Sequence, residues 1–159
     1  MSRSLGNQLP GALLQLLDGR DLGQKTQLAL LLNTVDAQGY PHPAMLSVGE
    51  VLAPSPSALR LALYATSTTT SNLRRGGTLS LALASGGLAY YIKARARERA
   101  GPLPGLEGLA VFDADIAEVL EDGDPMAAVT SGFTIALSRD PAAIVAHWEQ
   151  VIAALRALP

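Results

Sequence analysis

The residues of this chain best suited to chemistry lie between Tyr64 and Gly76, where Thr66, Ser67, Thr68, Thr69, Thr70 and Ser71 run into Asn72, Leu73, Arg74 and Arg75. Side-chain oxygens of this kind cap helices, and the cluster predicts a helix of one to two turns ending at Arg74-Arg75-Gly76. The N-terminus of such a helix offers N–H donors with no carbonyl partner and a partial positive charge, both suited to a phosphate. Neighbouring hydroxyls would add neutral hydrogen bonds. The same residues also suit a self-capped connector that binds nothing, and the segment by itself leaves both readings open.

A second set follows. Lys93, Arg95, Arg97 and Arg99 recur at every second position, so an extended strand carries them all on one face together with Tyr91, with Tyr90, Ile92, Ala94 and Ala96 on the other as core. Such a stripe can bind phosphate or pair across a sheet with acids such as Asp113 and Asp115. Pairing is the preferred reading for the distal arginines, and Lys93 stays open. His42, after a proline, reads as a ligand neighbour or an ordinary strand histidine. His147 flanks an apolar helical stripe, where packing alone accounts for it.

Other chemistries lack their residues. No G-x-S-x-G elbow, Walker loop or G-x-G-x-x-G fingerprint occurs, and no side chain stands out as catalytic. Without cysteine there is no disulfide, thiolate zinc site or cysteine nucleophile, and two histidines do not make a transition-metal site. Asp113 and Asp115, and the cluster Glu121, Asp122 and Asp124, lack calcium-loop spacing and read as solvated acids. A net charge of -2 argues against nonspecific nucleic-acid binding. The first apolar run, Leu13 to Leu17, is too short for a signal peptide, and no run approaches a membrane span; a soluble, cytoplasmic protein is expected.

These residues need a scaffold, and 159 residues suit one domain. Pro10 to Leu17, closed by Asp18-Gly19, predicts a short helix covering one end of a barrel. Leu28 to Val35 predicts a buried strand entering a turn at Asp36-Ala37-Gln38-Gly39, and the return strand runs from Pro41 to about Val51. Leu59, Leu61 and Leu63 alternate with Arg60, Ala62 and Tyr64 as a half-buried strand. Thr78 to Ala84 turns at Ser85-Gly86-Gly87 into Leu88 to Arg99. Phe112, Ala114, Ile116 and Leu120 mark one more strand, and Thr130 to Ser138 the last. Asp140 and Pro141 open a C-terminal helix over about 141–157, with Ile144, Val145, Trp148, Val151, Ile152 and Leu155 as its apolar stripe.

Taken in order, Thr34-Val35-Asp36-Ala37-Gln38-Gly39-Tyr40-Pro41-His42-Pro43, Leu61-Ala62-Leu63-Tyr64-Ala65-Thr66, Ser71-Asn72-Leu73-Arg74-Arg75 and Tyr90-Tyr91-Ile92-Lys93-Ala94-Arg95-Ala96 resemble the FMN-binding split-barrel family related to pyridoxamine 5'-phosphate oxidase. The resemblance spans about 26–138. It implies a mainly β fold, a six-stranded antiparallel split barrel with peripheral N- and C-terminal helices, and a homodimer with FMN at the subunit interface. By position, Pro43, Met45, Leu46 and Ser47 would lie along the flavin ring. Thr66, Ser67, Thr68 and Thr69, with Asn72 and Leu73, would surround the phosphate.

The chain departs from the family where many members carry a basic pair before the Asn-Leu position: here stand Thr68 and Thr69. Charge-assisted hydrogen bonds are about twice as strong as neutral ones, so Arg74, Arg75 or Lys93 would have to compensate. The oxidase's own C-terminal substrate-binding segment is replaced by an Ala-rich helix, so oxidation of pyridoxamine phosphate is not expected. The expected function is an FMN-dependent oxidoreductase drawing on NADH or NADPH. The alternatives are a flavin-binding or small-ligand module without turnover, and a structural dimer that has lost FMN.

Overall fold

Alternating apolar residues keep most of this chain extended. The computed structural model describes residues 2–159 and resolves the alternation into β1 (Ser2–Ser4), β2 (Ala29–Val35), β3 (Pro41–Ser47), β4 (Val51–Ser55), β5 (Ala58–Tyr64), β6 (Thr78–Ser85), β7 (Leu88–Glu98) and β8 (Leu109–Asp122). Helix α1 (Gly11–Leu16) precedes β2, α2 (Thr68–Gly76) joins β5 to β6, and α3 (Pro141–Ala157) follows β8. All pairings are antiparallel, in the order β3-β2-β6-β7-β8-β5-β4, with β1 also on β8. The sheet curls, and β3 and β4 are its two open ends.

Inside the curl, Leu30 and Leu32 of β2, Leu59 and Leu61 of β5, Leu81 of β6, Ile92 of β7 and Phe112 of β8 form the main core, with Leu13 and Leu17 of the α1 region packed against them. Ser85 faces Leu88 across the tight β6–β7 turn, which is possible because Gly86 and Gly87 both adopt positive φ. A second cluster lies outside the curl, where Trp148, Val151, Ile152 and Leu155 of α3 cover Leu52, Ala62 and Val111. Asp140 caps α3 by accepting from Ala143 N, and Pro141 occupies its first turn as expected.

Four local expectations are corrected. The main path has seven strands, not six, because the stretch from Pro41 to Val51 is broken: Glu50 N donates to Ser47 O (3.2 Å), making a turn between β3 and β4. β5 is buried on both faces, since α3 covers Ala62 and Arg60 while Leu59, Leu61 and Leu63 face the core. On β8 the register slips at Ala117, as Lys93 faces Glu118 but Ala94 faces Ile116. That bulge reverses the alternation, so Val119 enters the core where Leu120 was expected. Finally, 130–138 is not a strand. Thr134 makes a single bridge to Leu28, flanked by bonds to Gln27 and Ala29; Ile135 and Leu137 are only half-buried, and no ladder forms.

One charged residue belongs to the outer cluster. Arg60, almost fully buried, donates from Nε to Asp113 Oδ1 (2.7 Å) and from its terminal nitrogens to the carbonyls of Leu155 (2.7 Å), Leu158 (3.1 Å) and Pro159 (3.1 Å). Leu155 lies in the last turn of α3, where a helix leaves acceptors unpaired, and Leu158 and Pro159 follow directly after it. Arg60 thus ties α3 to the sheet.

Candidate functional site

Ser67 caps α2: its Oγ accepts from Thr70 N (3.1 Å), and the helix closes at Gly77 in the left-handed conformation. Most polar groups of this segment serve the fold. Thr70 Oγ1 donates to Tyr64 O (2.9 Å) and Ser71 Oγ to Ser67 O (3.2 Å). Asn72 is buried, donating from Nδ2 to Thr34 Oγ1 (3.0 Å) and accepting from Arg75 (2.9 Å), while Leu73 is in the main core. Thr66 and Thr68 are exposed and Thr69 is buried, so Thr66, Thr68 and the N–H groups of the first helical turn make up the outward face of this end.

The cations are mostly neutralised. Arg74 grips Glu98 with two bonds (2.7 and 2.6 Å), which raise the guanidinium's pKa and hold the Glu98 carboxyl below its usual value. Lys93 bonds Glu118 (2.8 Å), directly opposite it on β8, and Arg97 bonds Asp115 (2.9 Å). Asp113 is held between Arg60 and Arg99, correcting its reading as a solvated acid. Burial works against its charge, but the hydrogen bonds from Arg60 and Arg99 outweigh that, and its pKa falls. Lys93 is also remote from β3. The register runs Pro43, Asn33, Ser80, Lys93 over four neighbouring strands, a separation of about 14 Å at strand spacing. Among the described residues, no cluster of acids and histidines could hold a metal.

On β3, Pro43 and Met45 point outward and are exposed, whereas Leu46 and Ser47 are buried. His42 is on the opposite side from Met45, its carbonyl accepting from Thr34 Oγ1 (3.4 Å), as an ordinary strand histidine. Met45 is 55% exposed and Tyr64 70% exposed, and both line a cleft of about 290 Å³ at the split between the sheet's ends. Gly49, Glu50, His147 and Trp148 complete much of its wall. Glu50 Oε2 accepts from Ser47 N (2.7 Å) and Ser47 Oγ (2.9 Å). Burial pushes its pKa up, opposed by the Ser47 bonds and by the charge of nearby His147.

The structure therefore brings Met45 and Tyr64 to one mouth. Tyr64 O also accepts from Ser67 N (3.0 Å), so the Ser/Thr turn begins at that mouth. Leu46, Asn72 and Leu73 are held inside, and Arg74 and Lys93 are engaged by acids. Glu50, Trp148 and His147 were not read as site residues, because α3 meets the β3–β4 turn only through the tertiary fold. His147 is exposed at the cleft, so packing does not account for it as expected.

The open curled sheet and its helices define a split barrel of the type found in FMN-binding proteins related to pyridoxamine 5'-phosphate oxidase. A candidate pyridoxamine 5'-phosphate oxidase from Lactobacillus delbrueckii superposes with a TM-score of 0.58 and 21% identity, over 74% of this chain and 98% of that one. An FMN-binding protein from Syntrophomonas wolfei gives 0.51 and 14%, over 69% and 88%. No protein-family profile matches the chain. The uncharacterized protein YclD of Bacillus subtilis (strain 168) is 34% identical over 154 residues, 94% of this chain and 97% of that protein, and this chain belongs to the same family. No helix among the described residues is long and apolar enough to cross a membrane.

Proposed function

We propose that this chain binds FMN at the mouth of the split and works as an FMN-dependent oxidoreductase, as a homodimer reduced by NADH or NADPH. The observation that carries this reading is the meeting at one mouth of the outward face of β3, Tyr64 and the capped first turn of α2. Pro43 and Met45 offer an apolar ledge for a flat ring. The exposed hydroxyls of Thr66 and Thr68, with the first-turn N–H groups, suit phosphate oxygens. Bound FMN would supply hydride or electron transfer, while the chain supplies position and a partly apolar surround. The S. wolfei protein, described as FMN-binding, supports the choice of cofactor.

A dimer is supported by the outer face of the sheet. Met45, Leu31, Ala82 and Tyr91 stand side by side across β3, β2, β6 and β7, a row of apolar side chains at least partly open to solvent. A second reading, a dimer without cofactor, is favoured by Thr68 and Thr69 at the usual basic positions and by the capture of Arg74 by Glu98.

The test is to purify the chain, record its visible spectrum, titrate the cofactor-free protein with FMN while following flavin fluorescence, and measure its mass in solution. Saturable binding by a dimer, with bleaching of the bound flavin by NADH or NADPH, is expected. Bound flavin that neither donor reduces would leave a binding module; a dimer that takes up no FMN would leave the second reading.

A further inference from the structure

Glu50 is the single carboxylate in the wall of the cleft, and no lysine or arginine lines it. Both bonds from Ser47 fall on Oε2, which leaves Oε1 of this cleft-lining residue without a bond from the chain. Among the described residues no lysine or arginine pairs with Glu50. With no lysine or arginine beside it, a carboxylate held partly out of water gains from a cation that a ligand brings. The wall beside it is aromatic: Trp148 is buried with its ring at the cleft, Tyr64 stands at the opening, and both ring faces attract positive charge. The volume, about 290 Å³, lies just below the range of drug-sized ligand pockets, about 300 to 1,000 Å³, and so suits a small ligand.

We infer that this cleft is a binding site for a small organic cation with a flat apolar body, such as a protonated aromatic amine or amidine, held by Glu50 against Trp148 and Tyr64. That this ligand is the molecule exchanging electrons with the flavin rests on the FMN reading; the cation site itself does not. The same chemistry disfavours a small anion inside the cleft, whereas the FMN phosphate proposed at Thr66 and Thr68 lies outside its wall. The titratable groups that line the cleft with Glu50 are His147 from α3 and Tyr64 from β5, and the Ser47 hydroxyl from β3 donates to it. A protonated Glu50 would release the ligand, so acid weakens binding through that group.

Trp148 is the only tryptophan of the chain, so its fluorescence reads the cleft directly. The full chain, with and without FMN, is titrated with benzamidine, its neutral isostere benzamide and the anion benzoate. Saturable change with benzamidine is expected, at least tenfold tighter than with benzamide, and none with benzoate. Glu50→Gln keeps acceptors for Ser47 and should weaken benzamidine at least tenfold with an unchanged circular dichroism spectrum. Equal binding of benzamide or benzoate, an unaffected Glu50→Gln variant, or no saturable response overturns the inference. FMN uptake without benzamidine binding would sink the cation site and leave the flavin reading standing; benzamidine binding without FMN uptake would do the reverse.

Discussion

Gly49 lies against the indole of Trp148 so closely that a β-carbon there would overlap Cβ, Cγ and Cδ1 of that side chain. The β3–β4 turn and α3 are therefore in direct contact at the wall of the cleft, and only the absence of a side chain permits it. Gly49→Ala should cost about 1–3 kcal/mol, the usual penalty of overpacking. The check is denaturant unfolding followed by Trp148 fluorescence. Gly11→Ala, which meets nothing within 4 Å, is the control and should change stability by less than about 1 kcal/mol. Equal losses in the two variants would contradict the packing argument.

Arg60 holds the end of α3 and the residues after it through the main-chain oxygens of Leu155, Leu158 and Pro159, and holds Asp113 through Nε. Breaking a fully buried pair costs about 3–5 kcal/mol, whereas exposed pairs contribute about 0–1 kcal/mol. Asp113 is a third exposed, so Arg60→Ala should destabilise by an intermediate amount, roughly 2–4 kcal/mol. Arg97→Ala, whose pair with Asp115 is open to water on both sides, should cost under about 1 kcal/mol. Thermal melts of both variants decide it.

Acid should destabilise the fold through Asp113. Its folded pKa is depressed by Arg60 and Arg99 against the opposing effect of burial, so the stability it contributes is present above its unfolded pKa and is lost as pH falls through the lower folded value. Glu50 has the opposite sign. Burial raises its pKa, so its contribution is present below the unfolded pKa and lost as pH rises through the folded one. The stability gap between wild type and Asp113→Asn should widen from acid to neutral pH, and that between wild type and Glu50→Gln should move the other way. Chemical denaturation across that range measures both.

Two substitutions separate binding from folding in the Ser/Thr segment. Thr68 is exposed, and Thr68→Glu should weaken FMN at least tenfold by placing like charge beside the phosphate, with the melting temperature little changed. Asn72 is buried, and Asn72→Asp removes the donor to Thr34 Oγ1, so it should cost about 1–2 kcal/mol of stability. Fluorescence titration with FMN beside thermal melts reads each. Unchanged FMN affinity in folded Thr68→Glu would remove this turn from the site.

Releasing Arg74 is the complementary experiment. Glu98→Gln leaves its guanidinium without an anionic partner beside α2 and should tighten FMN, whereas Arg74→Ala should change little because the pair is already neutral. A weaker FMN complex in Glu98→Gln would place the phosphate elsewhere.

Local signals in the chain decided much of the framework. Leu79, Leu81 and Leu83 alternate without interruption, Tyr90 and Ile92 share a face, and Gly86-Gly87 supplies the turn between them, so period and turn chemistry placed β6 and β7. Asp140 and Pro141 marked the start of α3, and its apolar stripe is the one that is buried. Ser67 to Gly76 was readable as a helix for the same reason: cap, length and C-terminal glycine are neighbours in sequence.

What tertiary structure alone decided is how charges and faces are used. The bulge at Ala117 moves Val119 inward because the pairing with β7 requires it, and nothing local to β8 announces that shift. Arg60 looked like the polar residue of a half-exposed strand until α3 came to lie over it. Glu50 and His147 stand almost a hundred positions apart and meet only because Gly49 lets Trp148 approach. Propensity, patterning and capping act over a few residues and are written in order along the chain. The pairing of charges, the second face of β5 and the cleft at the split are set by contacts between distant segments, which the order of residues does not spell out.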